Sequence, residues 1–283
     1  MFGFFNIYKP VGMTSHDVVA RVRRILKIKQ VGHTGTLDPF AEGVLPVCIS
    51  KATRLIEYLE DDKEYLAFVK FGESTTTYDR EGEITFKSDK KVVESDINCA
   101  LKNFEGEIEQ HPPMYSAIKL NGKKLYEYAR AGEIVEVQSR KVTINNIKLE
   151  AFDGEIAQIR VACSKGTYIR SIANDLGQNL GCGGHLVKLI RTKAGKFCVD
   201  NTVTLDEVEE SPEKYLINPL YMLPQYRLDI TDEEYKKVLN GQYFFKQVDN
   251  ISDGDLLILV YNKVISAMAE INGNKITIKK VFV

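Results

Sequence analysis

The chain has 283 residues, 44% of them hydrophobic, enough for one large domain or for a catalytic domain with a small appended one. Its 38 Lys and Arg nearly balance 39 Asp and Glu, so contact with a nucleic acid has to come from local basic patches and not from a global field. The five cysteines (Cys48, Cys99, Cys163, Cys182, Cys198) are scattered without a CxxC pair, which argues against a disulfide framework or zinc knuckle and for reduced, mostly buried thiols. Histidines 16, 33, 111 and 185 lack HxxxH or HExxH spacing, so a metal is not expected, and with no cofactor-binding motif an organic cofactor is not expected either. Met1 to Pro10 lacks the charged start and longer apolar run of a signal peptide, and no later stretch approaches the ~20 apolar residues of a membrane span. A cytoplasmic protein without membrane association is expected.

Phe4 to Tyr8 has the pattern of a strand, and Val18, Val19, Val22, Ile25 and Leu26 form one helical face behind a possible Ser15 cap. Further strands are predicted at Val44 to Ile49, Glu64 to Phe71, Val142 to Ala151 and Ala157 to Cys163. Helices are predicted near Thr53 to Leu59, Asp96 to Phe104 and Thr167 to Leu180. This irregular order predicts an α+β domain with a mixed or antiparallel sheet and not a doubly wound parallel one. Between Gln110 and Arg140 lie two prolines, an Asn121-Gly122 turn and little continuous apolar pattern, which marks an inserted functional loop. Pro212, Pro219 and Pro224 then signal a boundary, giving units at 1–224 and 225–283. The second has a helix at Thr231 to Leu239 and strands at Leu256 to Tyr261, Val264 to Glu270 and Lys275 to Phe282, the pattern of a small β-rich module.

The densest local signal is the stretch from Gly32 to Pro46, a glycine-punctuated loop that carries Asp38 just before an apolar strand. Glycines allow sharp turns and close approach of a ligand, and the Asp-Pro step keeps Asp38 extended or in a turn. On spacing alone a plain turn fits as well as a catalytic carboxylate. A second signal runs from Ser164 to Ser171, where a strand ends at Gly166 and a helix begins with Tyr168 and Arg170. Arg170 could pair with a buried carboxylate, keeping it ionised and fixing its direction, although a surface arginine beside a packed tyrosine is the plainer alternative. The Gly181 to Gly184 run resembles a nucleotide or methyl-donor loop but follows a helix where that fingerprint needs a strand, so a turn fits better. No GxxxxGK[ST] or GxSxG motif occurs.

Three stretches together carry a more specific resemblance. Gly-His-Thr-Gly-Thr-Leu-Asp-Pro at 32 to 39, Lys9-Pro10 with Gly12-Met13, and Lys165-Gly166-Thr167-Tyr168-Ile169-Arg170 strongly resemble the bacterial tRNA pseudouridine synthase B family. The segment at about 110–140, from Gln110-His111-Pro112-Pro113 through Tyr128-Ala129-Arg130, is similar to that family's thumb loop, and 225–283 to its PUA RNA-binding domain. The resemblance implies conversion of uridine 55 in the TΨC loop of tRNA to pseudouridine, with Asp38 as the catalytic aspartate. It assigns base stacking to Tyr65 and active-site roles to Tyr168 and Arg170. It also implies that His33 helps to turn out the loop bases, that Lys9 supports the site or contacts RNA, and that Leu189 or Ile190, before Arg191, forms an apolar floor. Glu42 stands where the family more usually has a small or hydroxyl residue.

The chemistry suits these residues. Pseudouridylation breaks N1–C1′, turns the uracil and joins C5 to C1′, so the base must be held while one carboxylate assists by attack at C6, attack at C1′, or removal of a sugar proton. The sequence leaves these routes open. Extruding the base costs a few kcal/mol, and an aromatic platform worth roughly 1–3 kcal/mol offsets much of that. Phosphate contacts are expected from three basic clusters: Arg21, Arg23, Arg24, Lys27 and Lys29; Lys119, Lys123, Lys124 and Arg130; Lys188, Arg191 and Lys193. The expected partner is the T stem-loop of tRNA, the expected state a monomer with no obligatory protein partner. The main rival is a noncatalytic tRNA-binding or tRNA-folding protein on the same scaffold; a methyl-donor-dependent methyltransferase is a weaker one.

Overall fold

The computed structural model describes residues 1–282 except Ala117, Ile134 and Glu136, and their side chains except that of Arg130. Strand β1 (Gly3–Lys9) leads into helix α1 (Ser15–Leu26), and β2 (Val31–His33) and β3 (Glu42–Ile49) flank the glycine-rich loop. A 3-10 segment at Ser50–Tyr58 precedes β4 (Lys63–Phe71), the short hairpin β5 (Glu73–Thr75) and β6 (Ile84–Lys87), helix α2 (Glu94–Leu101) and β7 (Gly106–Gln110). The insertion contributes β8 (Lys119–Leu120), β9 (Lys123–Lys124) and α3 (Leu125–Arg130). There follow β10 (Arg140–Phe152), β11 (Ile156–Cys163), α4 (Ile169–Asn179), β12 (Gly184–Ala194) and β13 (Phe197–Cys198). Short helices α5 (Leu205–Glu210) and α6 (Pro212–Tyr215) connect to β14 (Tyr226–Asp229), α7 (Asp232–Leu239), β15 (Phe244–Phe245), β16 (Leu256–Tyr261), β17 (Val264–Asn272) and β18 (Lys275–Val281).

Nine strands make one mixed sheet in the order β1-β3-β12-β4-β11-β10-β7, with β2 on β3 and β13 on β12. Strands β3 and β12 pair in parallel, Glu42 and Gly43 beside Ile190 and Arg191. Strand β4 shows why it forms: Tyr65, Ala67, Val69 and Phe71 alternate inward, where they meet Ile169, Ile172, Ala173 and Leu176 of α4. The helix expected near 53–59 is the 3-10 segment Ser50–Tyr58. The long central strand β12 is absent from the sequence-based expectation. It starts in a glycine run, is interrupted by lysines and arginine, and shifts register at Leu186/Lys188 and Arg191/Lys193, which hides its two-residue period. The Gly181 to Gly184 run is the turn between α4 and β12, closed by bonds from Cys182 and Gly183 N–H to the Gly177 carbonyl.

Helix α1 is capped by Thr14, not Ser15: Thr14 Oγ1 accepts from Asp17 N–H, and Asp17 returns the bond to Thr14 N–H. That frees Ser15, 1% exposed, to point at the glycine-rich loop. Strand β1 is apolar on both sides because both sides are covered. Phe5 and Ile7 pack on α1, while Phe4 joins Val44 and Cys48 against Ile258, Ile265 and Met268 of the second sheet. That sheet, β14-β16-β17-β18-β15, spans Tyr226 to Val281. No helix of the described residues is long and apolar enough to cross a membrane. All five cysteines are free; Cys48, Cys163 and Cys182 are buried, Cys198 is half-buried and Cys99 is exposed.

Candidate active site

Asp38 lines a cavity of about 550 Å³ between α1, the loop at 34–39, β4, β12 and the insertion. Its carboxylate faces Arg170: Oδ1 accepts from Nη2 at 3.2 Å, and Nε lies 3.0 Å from Oδ2 without the alignment of a hydrogen bond. The guanidinium is buried, so its remaining protons need acceptors. Nη1 donates to Asp79 Oδ2 and the Thr77 carbonyl, both at 3.3 Å, and Nη2 also to the Tyr115 carbonyl at 3.0 Å. Asp79 is itself held, its Oδ1 accepting from Thr77 Oγ1 at 2.5 Å and Glu81 N–H at 3.0 Å. Burial pushes the Asp38 carboxyl above the ordinary aspartate value and Asp79 adds to this, while Arg170 and then Lys9 pull it down. Because 34% of the side chain still meets solvent, that rise is moderated by water as well as by the guanidinium.

The loop that carries Asp38 is anchored from three sides. Ser15 Oγ accepts from Leu37 N–H at 2.8 Å and donates to the Leu37 carbonyl at 3.2 Å. Lys9, fully buried, donates to the carbonyls of Met13 at 2.7 Å, Pro10 at 2.9 Å and Pro39 at 3.3 Å. Burial pushes its ammonium down to about 8, against the pull of Asp38. Arg191, 1% exposed, donates to Val44, Gly35 and Thr36 carbonyls at 2.7, 3.1 and 3.4 Å. Gly43 makes this approach possible. Its φ is +104°, and a Cβ there would lie 2.3 Å from the Arg191 carbonyl oxygen.

The cavity wall includes Tyr65, 7% exposed, Leu189 and Arg191 from the sheet, Tyr115, Ser116 and Tyr126 from the insertion, and Tyr168. Burial pushes the Tyr65 hydroxyl up, opposed by the charge of Arg191. The ring of His16, which lines the cavity, meets that of His33 edge to face, 5.6 Å apart. Burial pushes His33 down, with His16 and Arg191 adding to it. The wall therefore offers an aromatic and aliphatic slot for a flat ring beside one carboxylate, within the usual pocket range of roughly 300–1,000 Å³.

This geometry has relatives. Residues 23–169 match the TruB family pseudouridylate synthase N-terminal domain, and residues 170–220 match the tRNA pseudouridylate synthase B C-terminal domain. The chain belongs to the TruB family of pseudouridylate synthases. It is 44% identical to the tRNA pseudouridine synthase B of Staphylococcus haemolyticus (strain JCSC1435) over 94% of this chain and 93% of that one. With the protein of the same name from Clostridioides difficile (strain 630) it shares 49% identity over 91% and 90%. Among solved structures, an H/ACA RNP bound to a substrate RNA containing 2'-deoxyuridine matches with TM-score 0.72 and 27% identity, over 100% of this chain and 85% of that chain.

In this TruB-family synthase Asp38, Tyr65, Tyr168, Arg170, Leu189 and Arg191 line one cavity. Ile190, the alternative floor residue, points to the opposite sheet face because neighbours on a strand alternate. Lys9 and Arg191, expected among possible RNA contacts, lie buried with their donors on main-chain carbonyls. Lys119 is exposed on the β8–β9 hairpin, whose turn is Asn121-Gly122 with both residues at positive φ. Arg130 has its side chain outside the described residues. The basic clusters are partly engaged within the protein, Arg21 with Asp206 and Glu209, Lys188 with Glu42, Lys123 with Glu133. Glu42 thus finds a cation in Lys188, and burial together with the Glu42 charge pushes the Tyr8 hydroxyl up.

Sequence reading missed Ser15 as a loop anchor, Tyr115 and Tyr126 as wall residues, and Asp79. The run Thr75-Thr76-Thr77 before Asp79 and Gly82 marks a turn, but nothing local tells that its carboxylate meets an arginine 91 positions on.

Proposed function

We propose that this synthase converts uridine 55 in the TΨC loop of tRNA to pseudouridine through Asp38. The observation that carries this is the partly exposed Asp38 carboxylate, held by a buried arginine in the wall of a ring-sized cavity. The names of the relatives, tRNA pseudouridine synthase B, support tRNA as substrate.

In this reading the flipped uracil stacks on Tyr65 over a floor of Leu189, and stacking worth roughly 1–3 kcal/mol offsets extrusion. Arg170 keeps Asp38 ionised and directed. The carboxylate then assists the break of N1–C1′ by attack at C6, attack at C1′, or sugar proton abstraction. After the base turns and C5 joins C1′, the proton on C5 must leave, and Tyr168 is the candidate base. His33 turns out neighbouring bases, while Lys119 and Arg130 grip phosphates from the thumb loop. Lys9 and Arg191 act by fixing the loop of Asp38. Residues 1–224 carry the chemistry and 225–283 hold RNA, in a monomer acting in the cytoplasm.

Purified protein incubated with an unmodified tRNA transcript and a chelator, with product mapped to the nucleotide and Asp38→Asn alongside, tests the reading. Pseudouridine at position 55 from wild type only is the expected result; binding without product would instead mark a noncatalytic tRNA-binding protein.

A further inference from the structure

Gln110 and Arg140 stand at the two ends of the inserted segment, directly opposite each other on the β7–β10 ladder. Both reach Tyr168. Gln110, 1% exposed, bonds both backbone groups of that residue: Oε1 accepts from its N–H at 2.7 Å and Nε2 donates to its carbonyl at 3.0 Å. Arg140 lays its guanidinium over the phenol ring, 4.6 Å from the centroid, and donates to the Gly166 carbonyl just upstream.

Tyr168 needs such outside support. It precedes α4 with extended backbone, φ −97° and ψ 109°, and has no side-chain cap bond; the helix holds only its carbonyl, which accepts from Ile172 N–H at 3.3 Å. The same segment also holds the next turn, since Ser171 Oγ donates to the His111 carbonyl at 2.9 Å. A buried glutamine at a strand end is costly unless its amide is fully used, and here both its atoms go to one residue of the candidate site.

We infer that Gln110 and Arg140 are positioning residues for Tyr168, so that the ends of the insertion set the tyrosine against the bound base. The inference rests on the reading of Tyr168 as a participant in the reaction. A displacement of about 1 Å at a reacting group costs on the order of a hundredfold in rate, so the clamp should act on turnover more than on binding.

The test is steady-state kinetics on an unmodified tRNA transcript with Tyr168→Phe, Gln110→Ala, the double variant and Arg140→Lys. Gln110→Ala should lower kcat by about 10- to 100-fold with KM within about twofold, and the double variant should be no slower than the slower single one. Arg140→Lys keeps the charge but not the flat face, and should also lower kcat. A wild-type kcat in Gln110→Ala, or losses that multiply in the double variant, would overturn the positioning role while a slow Tyr168→Phe keeps the tyrosine's role. Normal turnover by Tyr168→Phe beside an inactive Asp38→Asn would remove the tyrosine's role and the inference with it. If Gln110→Ala does not fold, Gln110→Glu keeps the acceptor and loses the donor; a wild-type kcat there counts against the clamp.

Discussion

Arg170 lies between two carboxylates, and its neighbours divide the labour. Asp79, 5% exposed, anchors the guanidinium from the buried side, while Asp38, 34% exposed, receives it in the cavity wall. Asp38→Asn should therefore lower pseudouridine formation by at least about a thousandfold with little change in tRNA affinity, measured by product mapping and filter binding. Because Asp38 is pushed above the ordinary value of roughly 3.9 and must be ionised to act, activity is lost as pH falls through that raised value. The acid limb of kcat/KM should thus lie above the ordinary aspartate range, and Arg170→Met should move it higher by removing the cation that pulls it down. A limb at or below the ordinary range would contradict this environment. The stability sign is opposite to that of a salt-bridged surface aspartate. An acid with a raised folded value is a cost when ionised, present above the folded value and relieved below it. Asp38→Asn should then melt no lower than wild type at neutral pH.

At the scale of elements, the glycine-rich loop is positioned by groups distant in sequence: Ser15 at the start of α1, Lys9 at the end of β1 and Arg191 on β12. Ser15→Ala leaves the Leu37 N–H without its acceptor, a cost of about 1–3 kcal/mol, and should reduce kcat together with thermal stability. Gly43→Ala combines a left-handed φ with a Cβ against the Arg191 carbonyl. It should lower stability by at least about 1–3 kcal/mol, read as a fall in Tm, and weaken the loop under Asp38. Strand alternation and the apolar face of α1 were legible without structure, as was the Asn121-Gly122 turn. Strand β12 was not, because its register shifts and charged residues blur the alternation by which a strand is recognised. Ser15 was legible only as a cap; which of two adjacent hydroxyls caps a helix depends on what the other one faces.

Over the whole molecule, the two sheets share a core. Met268 and Ile265 pack with Phe4, Val44 and Cys48, all of them at most 2% exposed. Met268→Ala should cost about 2–5 kcal/mol and lower the melting of the first sheet along with the second, so that unfolding probed in either part gives the same shifted midpoint. Two separate transitions would show that the shared core does not couple them. Sequence alone determined the α+β class, the local elements with a strong apolar period and the family, because hydrophobic periodicity and contiguous motifs are properties of neighbouring residues. It also singled out Asp38 and Arg170, each inside its own motif. Only the tertiary structure decided that these two meet across 132 positions, that Asp79 completes the network, and that Lys9 and Arg191 turn inward. Which carboxylate faces a buried guanidinium, and which cation spends its protons on main-chain carbonyls, follows from how distant strands are brought together. No local pattern encodes that.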